Sequence, residues 1–322
     1  MKKRVLSGIK PTGEPHIGNY FGMMKQLVDM QDEYETFAMI ADYHALISVQ
    51  NPEKMKEYIL NIVIDYLAVG LNPEKVILFR QSDISAHTEL TWIFNCLVTV
   101  PYLMRAHAYK DSLNKNIEPS VGLFDYPVLM ATDILLYDPD IVPVGSDQKQ
   151  HVEYARDIAQ KFNSKFTETF KLPEEKIIED VGTIPGTDGQ KMSKSYGNTI
   201  RLFAADEEIE KAVASIPTDS KGVGEKKNPD EDNVFALHKL FSTADLDEIR
   251  KGYEDGGLSY KESKDILVGN IKKFIKPLRE KRKNWESKKD IVLEILNEGT
   301  SRCREIADKK IEEVKEAIGV KL

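Results

Sequence analysis

The stretch RVLSGIKPTGEPHIGN, residues 4–19, decides the fold. Arg4 to Ile9 form a short, mostly apolar run of strand length. Beyond them Ile17, Tyr20, Phe21, Met24, Leu27 and Val28 recur with helical spacing. A strand over 4–9 and a helix over 17–34 are therefore predicted, joined by a loop containing Pro11, Gly13 and Pro15. The pattern then repeats. A second strand is expected over 36–41. Pro52 stands where a first helical turn tolerates it, the helix runs through Ile59, Ile62, Val63 and Tyr66, and Val76 to Phe79 read as a buried strand.

Strands alternating with helices specify an α/β fold, a Rossmann-like parallel sheet covered on both faces, whose ligands lie at the carboxyl ends of its strands. Residues 85 to 137 read as mostly helical, broken around Asn114 to Pro119, and form a helical insertion between the halves of the sheet. Ile141 to Val144 return as a strand that ends at Gly145, with Ser146 suited to cap the helix carrying Val152, Ala155 and Ile158. Asp219 to Asp232 hold almost no apolar residue and read as an exposed linker or loop. The remainder is helical with charged faces. The expected division is a catalytic domain over 1–203 and a smaller all-α C-terminal domain over 204–322.

The composition agrees with two cores, since 322 residues at 41% hydrophobic content can bury one large and one smaller cluster. No apolar run approaches the ~18 residues of a spanning helix, and the basic start leads into no signal-like segment, so a cytoplasmic protein is expected. The two cysteines, Cys96 and Cys303, lack metal-ligand or redox spacing and are expected to be reduced and structural. No metal site is expected. A net charge of −8 argues against a sequence-blind nucleic-acid binder, which needs cationic surface. Residues 272–289 depart from that average, with nine Lys or Arg against two Glu and Trp285 among them. Such a helix can face RNA, or can equally be a solvated helix face with Trp285 in the core.

Two loops carry the chemistry. In the first, glycines let the backbone approach a ligand, and the helix beginning near His16 points unpaired N–H groups at it. His16 and Asn19 share one face of the first turn, where each can donate to a phosphoryl oxygen, and Gly18 leaves room for a purine. A tight turn with a capping histidine would explain the same residues. The second loop, GTDGQKMSKSYGN at 186–198, places Lys191, Lys194 and two hydroxyls between glycines. Cations that reach a departing pyrophosphate mainly in the transition state raise rate rather than merely tighten binding. Between the loops, Tyr126, Met130 and Asp133 are spaced i, i+4 and i+7 and so share a helix face. An aromatic, a thioether and a carboxylate suit an indole, although ordinary core packing would also use the first two.

Pro15 to Asn19 and Lys191 to Ser195 resemble the two signatures of class I aminoacyl-tRNA synthetases, with Asn19 in the form familiar from the tyrosyl and tryptophanyl branch. Gly122 to Tyr137 and Val142 to Glu153 are similar to segments of bacterial-type tryptophanyl-tRNA synthetases. Ser146 and Lys10 depart from that pattern. The resemblance implies ATP with Mg2+, L-tryptophan and tRNA(Trp) as partners, a homodimer through the apolar insertion around Trp92 to Tyr109, and no membrane. It implies catalysis by His16, Asn19, Lys191 and Lys194. ATP would meet Lys10, Thr12, Gly18, Gly145, Asp147, Met192, Ser193 and Ser195. Tryptophan would meet Leu6, His44, Tyr126, Met130, Asp133 and Gln148, with Asp133 reading the indole nitrogen, and Asp42 matches a further pocket position.

A tyrosyl-tRNA synthetase is the nearest alternative, but it should place polar partners for a phenol where this chain has Met130. A small-molecule adenylyltransferase would not explain Lys191 to Ser195 or the basic tail. An inactive, RNA-binding relative would have no need of His16, Asn19, Lys191 and Lys194 intact.

Overall fold

The computed structural model describes residues 2–145, 149–177 and 184–322. Its strands are β1 (Arg4–Ile9), β2 (Glu35–Ile40), β3 (Val76–Arg80), β4 (Ile141–Val144) and β5 (Glu174–Ile177). The α-helices are α1 (Ile17–Asn19), α2 (Lys25–Met30), α3 (Asp42–Ala45), α4 (Pro52–Ala68), α5 (Ala86–Asn95), α6 (Val100–Leu103), α7 (His107–Asn114), α8 (Val121–Leu135) and α9 (Lys149–Lys165). They continue as α10 (Asp206–Ala214), α11 (Asn233–Phe241), α12 (Leu246–Asp255), α13 (Tyr260–Glu286) and α14 (Lys289–Ala317).

The five strands pair in parallel in the order β3-β2-β1-β4-β5. The order reverses between β1 and β4, and a crevice outside the carboxyl ends of such neighbours is where doubly wound sheets take ligands. Gly8 to Gly13 leave β1 at that point, and Gly145 leaves β4 there. Ser146 lies outside the described residues.

Local chemistry explains where the elements begin. Asn51 caps α4 by accepting from the Lys54 N–H at 2.9 Å, with Pro52 in the first turn. Ser120 caps α8 through the Leu123 N–H, and Ser259 with Glu262 closes a capping box on α13. The helix after His16 departs from expectation. It runs through a π-helical turn at Tyr20–Met24 and stops at Met30 rather than 34. The Gln31 side chain holds the Gly70 carbonyl and the Asn72 N–H, which draws the chain out of the helix. β5 was not expected at all, because Glu174, Glu175 and Lys176 carry no apolar signal. An edge strand tolerates such charges, and Glu175 pairs with Lys149 at 3.2 Å.

The chain forms two compact units. One comprises 1–13, 26–178 and 288–322, and buries a large cluster of sheet residues such as Leu6, Phe37 and Phe79 with Leu90, Phe94 and Val128 of the insertion. Cys303, Ala307, Ile311 and Val314 of α14 belong to the same cluster. α14 can lie close on β3 because residue 299 is glycine, where a Cβ would stand 1.9 Å from the Leu78 carbonyl oxygen. The other unit comprises 14–25 and 179–287, and buries Ile17, Ile184, Met192 and Ile200 with Leu237, Leu267, Ile271 and Ile275. Compactness thus follows a different line from the expected functional division at residue 203. Cys303 is buried as expected, whereas Cys96 is exposed, and both are free thiols. No described helix is long and apolar enough to cross a membrane.

Candidate active site

The first group of candidate residues lies in the unit containing 14–25. Pro15 to Ile17 are held in extended pairing with 200–202: the Ile17 N–H donates to the Ile200 carbonyl at 3.0 Å, and the Leu202 N–H to the Pro15 carbonyl at 2.9 Å. This fixes His16 as the cap of α1, with its own N–H donating to Asn19 Oδ1 at 3.0 Å. The His16 ring is buried, and its Nδ1 has no partner. Burial, aided by the nearby Lys194 charge, lowers its pKa to about 4, so the ring is neutral at physiological pH. A Cβ on Gly18 would stand 2.9 Å from that Nδ1, so only glycine leaves this nitrogen open.

The 186–198 loop is pinned from within by Asn198, which sequence reasoning passed over. Its Oδ1 accepts from the Ser193 N–H at 2.8 Å, while Nδ2 donates to Asp188 at 2.7 Å and to the Lys191 carbonyl at 3.1 Å. Gly186 packs on this amide so closely that a Cβ would sit 2.3 Å from Nδ2. Met192 is buried against Ile17, Ile184 and Ile200. Its side chain therefore anchors the loop. Lys191, Lys194 and Ser195 are exposed around that anchor, and Ser193 Oγ accepts from the Ser195 N–H. A buried apolar pin below two exposed lysines lets charge reach a phosphate while the backbone stays placed.

The second group lies in the unit containing the sheet. Asp133 on α8 is almost fully buried, and both carboxylate oxygens accept hydrogen bonds. Oδ2 lies 2.9 Å from His44 Nε2 and Oδ1 2.6 Å from His87 Nδ1, while the Gln81 amide reaches both at 2.8 and 2.9 Å. Burial alone pushes this carboxyl up, but the bonds from His44 and His87 outweigh it and hold the pKa at about 2. With Nε2 donating to Asp133, the buried Nδ1 of His44 has no hydrogen-bond partner. The rings of His44 and Tyr126 meet edge-on at 6.2 Å, and the Tyr126 hydroxyl lies 2.9 Å from His151 Nε2. Met130 is half-buried one turn before Asp133, and Lys10 Nζ stands 5.8 Å from the Tyr126 ring centre.

Leu6 is 2% exposed and packs in the sheet core. Thr12 is exposed in the turn its N–H makes with the Lys10 carbonyl. Asp42 accepts from the Ser82 N–H and hydroxyl, so it ties the ends of β2 and β3 together. Asp147 and Gln148 lie outside the described residues. Gln81, His87, Tyr137 and His151 were missed. A histidine inside the apolar pattern of α5 was the only available signal for His87.

The family described as "tRNA synthetases class I (W and Y)" matches residues 1–276. A "Tryptophan--tRNA ligase" of Fusobacterium nucleatum is 50% identical over 99% of this chain and 98% of its own. One from Rhodopirellula baltica is 45% identical over 99% of this chain and all of its own. A crystal structure of tryptophanyl-tRNA synthetase from Campylobacter jejuni, "complexed with ADP and Tryptophane", superposes with a TM-score of 0.92 at 44% identity, covering 98% of this chain and 99% of its own.

Proposed function

Since the chain belongs to the class I tRNA synthetases of the tryptophan and tyrosine group, we propose that it activates L-tryptophan with ATP and esterifies it to tRNA(Trp) in the cytoplasm. A tryptophan carboxylate oxygen attacks the α-phosphorus of ATP, the bond to the bridging oxygen of the β-phosphate breaks, and tryptophanyl-adenylate and pyrophosphate form. A hydroxyl of the terminal tRNA ribose then attacks the adenylate carbonyl, and AMP leaves. No protein nucleophile takes part, so catalysis rests on positioning and charge stabilisation.

His16 and Asn19 hydrogen-bond phosphoryl oxygens, and neutral His16 does so without adding charge. Lys191 and Lys194 meet the pyrophosphate as it departs. Lys10, Thr12, Gly145, Asp147, Ser193 and Ser195 hold the rest of the nucleotide, and Gly18 gives it room. Among the described residues no three His, Cys, Asp or Glu side chains converge to hold a metal. Mg2+ would come with ATP as part of the substrate and neutralise charge on its phosphates.

The observation that carries the choice of amino acid is Asp133, a buried carboxylate kept ionised beside Tyr126 and Met130. An ionised acceptor suits an indole N–H, and phenylalanine, which cannot supply one, forgoes that charge-assisted hydrogen bond, worth roughly 1.5 to 3 kcal/mol. Leu6, His44 and Gln148 complete this group. Exposed Trp92, Val100 and Met104 on the insertion supply the apolar face of a homodimer. For tRNA, the 204–322 region offers exposed Lys273, Lys276, Lys281 and Lys283 on α13, whereas Lys272 and Arg279 are engaged by Glu210 and Asp206. Pyrophosphate exchange into ATP, run with each of the twenty amino acids, tests the reading. Exchange with tryptophan alone supports it, exchange with tyrosine favours the tyrosyl alternative, and exchange with none favours a binding protein.

A further inference from the structure

We infer that His87, backed by Tyr137, is the positioning residue that fixes the Asp133 carboxylate to receive a single ligand N–H. The inference rests on the reading of Asp133 as the indole acceptor. His87 is fully buried on α5 and stacks on Phe79 with ring centres 6.4 Å apart, so it acts through Asp133 and not on the ligand. Its Nδ1 is 2.6 Å from Asp133 Oδ1, and its Nε2 is 2.7 Å from the Tyr137 hydroxyl.

Proton accounting orients the ring. An ionised carboxylate only accepts, so Nδ1 of His87 carries a proton and donates to it, while Nε2 meets the Tyr137 hydroxyl. Burial pushes that hydroxyl far above its ordinary pKa, so it keeps its proton. Tyr137 cannot swing away, because its ring is wedged against Phe37 at 5.8 Å and Phe79 at 5.1 Å.

The other donors are equally constrained. Gln81 Oε1 accepts from the Tyr43 N–H at 3.0 Å, which orients its amide towards Asp133, and His44 comes from α3 at the end of β2. Three donor groups thus make four contacts with this carboxylate, the Gln81 amide nitrogen being shared between both oxygens, so a ligand N–H can take over one of the shared contacts. Without His87, Oδ1 would lose its shortest bond and the carboxylate could rotate or fill its sites from water.

The test compares His87→Leu, which removes the donor, with His87→Asn, whose amide can place an N–H near the lost Nδ1. The probes are L-tryptophan and 3-(3-benzothienyl)-L-alanine, in which sulfur replaces the indole N–H, both in pyrophosphate exchange. His87→Leu should raise the tryptophan KM at least about 10-fold and shrink the ratio of kcat/KM for tryptophan over the sulfur analogue by about 10-fold or more, with the ATP KM little changed. His87→Asn should recover most of that ratio. If His87→Leu lowers both amino acids alike and leaves the ratio unchanged, the residue is only structural and the inference falls. Should His87→Leu fail to fold, Tyr137→Phe, which deletes one hydroxyl, must still narrow the ratio by a few-fold, and an unchanged ratio overturns the inference. Wild-type protein that does not prefer tryptophan over the analogue refutes Asp133 as indole acceptor, and the inference with it. A discriminating wild type with an unchanged His87→Leu ratio refutes the role of His87 alone.

Discussion

Replacing Gly299 with alanine should unlatch the C-terminal helix from the sheet. The added Cβ would lie 1.9 Å from the Leu78 carbonyl oxygen, 2.7 Å from its carbon and 3.1 Å from its nitrogen. These are backbone atoms of β3, so no side chain can turn aside, and α14 must retreat by about 1 Å or more to reach an ordinary contact. Its buried face, Val292, Leu296, Cys303 and Ala307, would retreat with it. Overpacking of this kind costs about 3 kcal/mol or somewhat more when backbone must move, and alanine returns about 1 kcal/mol of helix propensity. The net loss is about 2 kcal/mol, or roughly 4 to 8 °C in Tm for a unit of this size. Gly269→Ala is the matched control. Gly269 also lies inside a long helix, but nothing stands within 4 Å of its added Cβ, so propensity alone should act and Tm should hold or rise slightly. Calorimetry of both variants, with pyrophosphate exchange to verify the folded state, decides the matter. A Gly299→Ala protein as stable as Gly269→Ala would refute the close approach of α14 to β3.

Three further outcomes are expected. Asp133→Ala should abolish preference for tryptophan over phenylalanine while ATP affinity stays nearly intact, and steady-state exchange kinetics with both amino acids would show this; unchanged preference removes Asp133 from recognition. Lys194→Ala should slow adenylate formation by about 10²-fold with little change in tryptophan affinity, as expected of a cation used mainly in the transition state; pre-steady-state kinetics separate rate from binding. His238 is fully buried between Ser242 and Ser263, and burial lowers its pKa to about 4 from an ordinary 6.5. The unfolded chain therefore binds the extra proton first. The stability contributed by neutral His238 is complete above about pH 6.5 and is lost as pH falls towards 4, by on the order of 3 kcal/mol in all. Thermal unfolding across that window should show the slope, and His238→Gln should flatten it.

The sheet was largely readable in the residues because its first four strands are short apolar runs separated by helical spacing and proline or glycine punctuation. The two signature loops were readable because their residue types are unusual together. What could not be read depends on partners distant in sequence. β5 is charged because it is an edge, and α14 shows charged faces and no sign that Gly299 meets β3 more than two hundred residues away. Tyr126, Met130 and Asp133 share a face, as their spacing predicted. The donors around Asp133 come from three other segments, and no local pattern announces Gln81, His87 or Tyr137. Asn198 likewise looked like part of a mobile loop until its amide was seen to bind three points of it.

The most direct test of the proposed activity is intact-mass analysis of a tRNA(Trp) transcript incubated with this protein, Mg-ATP and an equimolar mixture of all twenty amino acids. The account predicts one new ester, with the mass added by tryptophan. A tyrosyl ester, or no ester from protein shown to be folded, would contradict it.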